Sequence, residues 1–328
     1  MRVPRFISDE EDREMEVCSD MRVSSRQAIL SIPFSLLLAF SSVSAYQEVP
    51  VTDGGTVTGK VTLKGGKPVP RGFNLVTFPD PVYCGRISNG RGFRLLKEFT
   101  VAEDRGVKDV VVSLMAIDKG KPFPFQPPQI EARDCRFLPF VNVVRNHDKV
   151  SVVNMDPVMH DIQAYETSEL GPRVLFNVPL PINPHHPKTA GVDAEYHQHI
   201  PGTPMTQEIH MTKGRRIFVM QCGFHAYMET WGMAVDNPYY ALTDGAGQFT
   251  LSQIPPGTYK LVVWHPQARS ILEREVTIPA KETAVVANFE ILAREGARAG
   301  MEAVENPHFG LGILGDREIK PTVEVQQP

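Results

Sequence analysis

Short apolar runs separated by proline- and glycine-rich connections fill most of the chain, and many alternate with a period of two. In "GTVTGKVTLKGG", residues 55–66, Val57, Val61 and Leu63 fall on one face of a strand and Thr58, Lys60 and Thr62 on the other. "VKDVVVSLMAID" (107–118) is apolar almost throughout, as a strand buried on both faces would be, and the "KGKPFPFQPPQ" loop ends it. "CRFLPFVNVV" (135–144) and "DKVSVVNMD" (148–156) predict two more strands. In "HDIQAYE" (160–166), Ile162 and Ala164 alternate with Gln163 and Tyr165.

Residues 177–204 carry no periodicity, and Pro179, Pro181, Pro184 and Pro187 interrupt their first half. A connection of that length is an excursion rather than an element. "TQEIHMTKG" and "RRIFVMQC" then read as a strand pair, the second delivering Cys222 at its end. From 239 onward, strand patterns alternate with turn signals at Asp244-Gly245, Ala246-Gly247 and Pro255-Pro256-Gly257. "LEREVTIPAKETAVVANFEIL" adds two further strands. No helical period is sustained anywhere, so the predicted class is all-β.

Composition agrees: 28 prolines, 42% hydrophobic and 22% charged residues suit a globular β-protein with long connections. A formal net charge of −4 supplies no basic footprint, so nucleic acid is not an expected partner. The N-terminus adds a compartment. "MRVSSRQAILSIPFSLLLAFSSVSA" (21–45) has Arg22 and Arg26, an apolar run, and small residues at Val43 and Ala45, the three parts of a secretory signal. Translation from Met21 would leave out the acidic first 20 residues, and the mature chain is expected to start near Tyr46. An uncleaved N-terminal anchor is the alternative, and it is the only membrane attachment the sequence suggests.

Export changes the reading of the cysteines. With Cys18 outside the mature chain, Cys84, Cys135 and Cys222 remain. An oxidising compartment favours a Cys84–Cys135 disulfide plus one leftover thiol, with two separate buried thiols as the alternative. Cys222 lies in "VMQCGFHAYM" (219–228), where an unpaired exported thiol would be protected by a metal. One thiolate, two imidazoles and a weak thioether suit copper in both of its oxidation states. Cys222, His225 and Met228, spaced C-x2-H-x2-M, can turn inward from one tight loop, with His160 supplied by a neighbouring strand. Met233 competes with Met228 as the thioether, whereas Met155, Met159 and Met220 read as packing. His185, His186, His197 and His199 in the long excursion read as a solvated loop, or else as a second exposed metal site. His265, beside Trp264, reads as structural.

The strand ending in Asn154, the turn to His160 and the late Cys-x2-His-x2-Met loop resemble a cupredoxin of the plastocyanin and amicyanin type. The stretch 135–165 together with "CGFHAYM" is similar to exported plastocyanin-like proteins fused to a carboxypeptidase regulatory-like domain. That resemblance spans roughly 54–295 and implies copper at His160, Cys222, His225 and Met228. It implies a cupredoxin-type Greek-key β-sandwich plus a second, transthyretin-like sandwich, to which "DGAGQF" and "PPGTY" correspond. Two departures stand out. Asp161 occupies the place of a thiolate-bracing Asn, and Phe140 follows Pro139 where relatives carry a His; either alters the surroundings of the metal.

The expected organisation is a leader at 1–45 (signal 21–45), a cupredoxin-like domain at 46–234, a regulatory-like sandwich at 235–295 and a tail at 296–328. Strand 55–66 is expected to pair with the C-terminal sandwich, with the cupredoxin strands inserted between. The function expected is extracytoplasmic electron transfer with a redox protein such as a cytochrome; the alternative is copper carriage or a docking module without redox duty. The chain carries no nucleophile elbow, no carboxylate pair at useful spacing and no zinc-protease motif, so an enzyme is not expected.

Overall fold

The computed structural model describes residues 46–68, 71–74, 78–84, 93–96, 99–167, 171–182, 184, 199–212, 214–280 and 284–294. The signal segment, the 296–328 tail and His185, His186 and His197 lie outside them. In chain order the first strands are β1 (Gln47–Glu48), β2 (Gly55–Lys64), β3 (Arg71–Asn74), β4 (Phe93–Leu96), β5 (Val111–Met115), β6 (Lys119–Gly120), β7 (Gln129–Ala132), β8 (Phe137–Leu138) and β9 (Val141–Arg145). The middle strands are β10 (Asp148–Asn154), β11 (His160–Glu166), β12 (Arg173–Leu180), β13 (Met205–Ile209), β14 (Ile217–Gln221) and β15 (Glu229–Val235). The last are β16 (Tyr240–Leu242), β17 (Gln248–Ile254), β18 (Gly257–Trp264), β19 (Leu272–Ile278), β20 (Ala284–Val286) and β21 (Phe289–Leu292). One four-residue helix, α1 (Pro81–Cys84), is the single α-helix among the described residues. The fold is an all-β sandwich architecture.

A five-stranded sheet in the order β12-β11-β14-β15-β9 faces a four-stranded one in the order β13-β10-β7-β8. Ile162, Ala164, Phe218 and Met220 from the first meet Ile130, Val150 and Val152 from the second in one buried core. A second core, with Val57, Val61, Leu63, Leu251, Leu261 and Phe289, lies between β16-β5-β18-β19 and the sheet of β17, β2, β20 and β21. Sheet membership therefore crosses the 234/235 boundary drawn from sequence. β2 pairs with β17 in the register Thr58↔Thr250, and β5 pairs with β18 in the register Ser113↔Val262.

The continuous apolar run of β5 has a reason. Val112 and Leu114 enter the second core, while Val111 on the opposite face joins a third apolar cluster with Val141, Val143, Met233, Val262 and Trp264. A strand with both faces covered cannot alternate, because neither face meets water.

β11 does alternate, with His160, Ile162, Ala164 and Glu166 all buried. Glu166 on an apolar face would be costly alone. Arg173 Nη2 donates to it at 2.7 Å and Arg215 makes a second, short contact. The hydrogen bonds from Arg173 and Arg215 outweigh burial and lower the Glu166 pKa from 4.5 to about 2. A carboxylate depressed in the folded state adds stability above its unfolded pKa and loses it as pH falls through the folded one. Glu166→Gln is therefore expected to destabilise the protein by about 1–3 kcal/mol at neutral pH. The gap to wild type should close between pH 4.5 and about 2 in urea titrations at stepped pH.

Candidate metal centre

Two strand ends and one loop build the centre. β10 stops at Asn154, whose side-chain amide donates to Val158 O at 2.8 Å and to Leu180 O at 3.2 Å, and whose carbonyl accepts from Asp156 N at 2.9 Å. That knot fixes the turn delivering His160 as the first residue of β11. The β14–β15 loop is closed by Cys222 N donating to Met228 O at 3.1 Å and Met228 N donating to His225 O at 2.7 Å. β11 and β14 pair in the register Gln163↔Gln221, so the loop folds over the start of β11. Gly223 lies so close that an added Cβ would sit 2.3 Å from the Gln163 side-chain nitrogen. A side chain there would have to displace the ends of the Gln163 and Asp161 side chains.

Cys222, His160 and His225 are each fully buried. The Cys222 sulfur is 3.9 Å from His160 Nδ1 and 3.7 Å from His225 Nδ1, and the two Nδ1 atoms are 3.3 Å apart. Metal–nitrogen bonds of about 2.0 Å and a metal–sulfur bond of about 2.3 Å in a trigonal plane need N···N near about 3.5 Å and N···S near about 3.7 Å. The donors lie within a few tenths of an ångström of those separations.

The outer ring nitrogens are taken. His160 Nε2 is 3.0 Å from Asp156 Oδ2, and His225 Nε2 is 3.0 Å from Pro79 O. These acceptors assign the proton of the neutral ring to Nε2 and leave the Nδ1 lone pairs converging with the sulfur, as metal ligands require. Burial pushes the His160 pKa down, but Asp156 and the Cys222 thiolate outweigh it and raise it to about 9. Burial pushes the Cys222 thiol up, yet hydrogen bonds with His160 and His225, helped by the backbone N–H of Asp161, bring it down to about 7. A soft thiolate with two imidazoles fits copper or zinc; the residues present fit the group.

The remaining sequence candidates separate cleanly. Met228 is fully buried in the core cluster that contains Cys222, whereas Met233 belongs to the third cluster with Val141 and Trp264. Met220 is buried packing, while Met159, expected to pack, is exposed. Cys84 and Cys135 form a disulfide, and the Cys84 sulfur lies 3.6 Å from His225 Nε2. Asp161 is engaged by the loop residue that follows Cys222. Its carboxylate accepts from Gly223 N at 2.5 Å and Gln163 Nε2 at 2.9 Å, bracing the loop from outside. Phe140 sits on the other side of β9, its ring centroid 6.3 Å from that of His265. His265 is buried, stacks edge-on with Phe99 at 4.7 Å, and accepts from Gln267 N.

Sequence reasoning missed Asp156. Its fully buried carboxylate accepts from Asp134 N at 2.8 Å, Cys135 N at 2.9 Å and Tyr83 OH at 3.0 Å besides His160. His199, expected in a solvated loop, is half-buried, with Nε2 3.2 Å from Asp134 Oδ1 and Nδ1 3.2 Å from Met155 O. Hydrogen bonding to Asp134 raises its pKa above the usual value. The only sequence signal for this network was Asp156 standing four residues before His160.

No protein-family model matches the chain, and no curated protein matches it. Solved structures match part of it. A purple cupredoxin from Nitrosopumilus maritimus does so at 16% identity and TM-score 0.23, over 33% of this chain and 99% of that one. An oxidised proline-to-glycine mutant of amicyanin matches at 11% identity and TM-score 0.23, over 42% of this chain and 100% of that one. A dithionite-reduced auracyanin from Roseiflexus castenholzii matches at 11% identity and TM-score 0.22, over 34% of this chain and 98% of that one. Each is a partial similarity, and the assignment of a metal centre rests on this chain's own donors.

Proposed function

We propose that this chain is an exported copper-binding protein that carries single electrons to or from another redox protein, such as a cytochrome. The observation that carries this reading is the convergence of the Cys222 sulfur and the His160 and His225 Nδ1 atoms, with both outer ring nitrogens already bonded. Copper, held by Cys222, His160 and His225 with Met228 as the fourth donor, would supply one-electron redox chemistry. The residues themselves do no covalent work. Asp156 and Pro79 O fix the ring planes, the loop hydrogen bonds fix the sulfur, and the surrounding core excludes water. Donors held this rigidly reorganise little when charge changes. The disulfide suits an oxidising compartment, which supports export through the 21–45 signal.

A second reading is copper carriage without redox duty. Full burial of both imidazoles favours it, because no ring edge faces a partner. Loading the purified mature chain with copper separates the two. A strong visible thiolate-to-copper band with reversible redox cycling is expected for electron transfer. A colourless protein that retains Cu(I) would support carriage, and a chain that takes up no copper would overturn both.

A further inference from the structure

A second cluster of metal-binding side chains stands on the surface, sharing no residue with the buried centre. The β9–β10 connection is a two-residue turn, Asn146 and His147, between Arg145 and Asp148. β10 pairs antiparallel with β13 in the register Asp148↔Ile209 and Lys149↔Glu208. One step further along that ladder, His147 stands across from His210, and His147 N donates to Ile209 O at 2.9 Å. Side chains two apart on a strand share a face, so Glu208 and His210 project together.

Three donors result. His147 Nδ1 lies 3.2 Å from His210 Nδ1, the ring centroids are 4.2 Å apart, and the donor atoms of His147, Glu208 and His210 all lie within 4.8 Å of one another. All three residues are exposed. Their backbone is held from both sides: Arg173 Nη2 donates to His210 O at 3.0 Å, and Asn146 Oδ1 accepts from Met211 N at 3.1 Å. His147 has φ of 63°, a left-handed conformation that costs a non-glycine residue about 1–3 kcal/mol. Among the described residues the Glu208 carboxylate makes no ion pair, although Lys149 stands opposite it in register. Two imidazoles and a carboxylate from one rigid sheet edge, with open positions toward solvent, form the donor set that borderline divalent cations prefer.

We propose that His147, Glu208 and His210 form a surface binding site for a divalent transition-metal ion of the zinc, nickel or copper(II) class. Such an edge site binds reversibly, because solvent supplies the remaining ligands.

Zinc(II) titration of the full chain by calorimetry tests this, with wild type, His147→Asn, His210→Ala and Cys222→Ser compared. Asparagine tolerates the left-handed turn, so His147→Asn removes the ligand while keeping the backbone, and an unchanged melting temperature checks that. Two zinc equivalents are expected in wild type, one at the buried Cys222 centre and one at the surface, but only the surface one in Cys222→Ser. The surface equivalent should weaken about tenfold or more in His147→Asn and in His210→Ala. Equal binding by wild type and both histidine variants would overturn the proposal. So would the absence of any zinc equivalent in Cys222→Ser, which would return zinc binding to the buried centre alone.

Discussion

Cys222→Ser is expected to abolish the visible copper band completely and to weaken copper binding by about 100-fold or more, beyond what loss of an outer partner costs. The hydroxyl cannot deprotonate near neutral pH, so the one anionic donor of the set disappears. Two imidazoles with a neutral oxygen no longer favour Cu(I). The buried serine would also face lone pairs on His160 and His225 Nδ1, positions that now lie 3.9 and 3.7 Å from sulfur. Absorption spectra and a Cu(I) competition series check both effects, and a band that survives the substitution would remove Cys222 from the donor set. A pH signature accompanies it. With His160 raised to about 9 in the metal-free protein, a proton competes for Nδ1 throughout the neutral range. Copper affinity in wild type should therefore rise with pH between about 7 and 9, because metal binding needs the neutral ring.

Asp156→Asn is expected to cost about 3–5 kcal/mol of stability and about 10–100-fold in copper affinity. The carboxylate is fully buried and accepts from four donors, so it is satisfied only as an anion with acceptors on both oxygens. An asparagine of the same shape replaces one oxygen with a donor, which then faces two donors: Cys135 N–H and the Nε2 proton of His160 at the Oδ2 position, or Asp134 N–H and Tyr83 O–H at the Oδ1 position. Leaving a buried donor unanswered carries its full desolvation cost. The metal loses as well wherever the amide nitrogen takes the Oδ2 position, because His160 Nε2 then has no acceptor. Urea denaturation of the metal-free protein separates the stability term from the affinity term. The control is Asp161→Asn, whose exposed-side oxygen still accepts from Gly223 N; it should cost less than about 1 kcal/mol.

Local periodicity made the strands readable. β11 was legible because Ile162 and Ala164 alternate with Gln163 and Tyr165, and β5 because Val111 and Val112 put an apolar side chain on each face. The site was legible where ligands share a loop, since C-x2-H-x2-M fixes three side chains within one turn. Features that depend on register were not. The pairing of His147 with His210 requires knowing that Asp148 stands opposite Ile209. The role of Asp156 requires donors from Tyr83, Asp134 and Cys135, which chain folding alone brings together. Buried Glu166 gave no sequence warning, because its partners Arg173 and Arg215 lie outside its own strand. β2 pairs with β17, β20 and β21 as expected of strand 55–66, but the membership of β5 in the β16–β19 sheet was not foreseen, because its local pattern is one that any sandwich could use.

The long-range pairing of β2 sets an order of events on the ribosome. Lys60 N donates to Asn288 Oδ1, 228 residues away, and β2 also pairs with β17, β20 and β21. At ordinary synthesis rates this separation amounts to roughly 10–45 s of translation. Until that interval ends Val57, Val61 and Leu63 have no finished sheet to cover them, whereas β7 to β15, and with them the donors of the candidate metal centre, are completed within it. The half of the molecule that carries the candidate metal centre can thus close first, and the nascent β2 is the segment that a holdase chaperone would have most reason to grip.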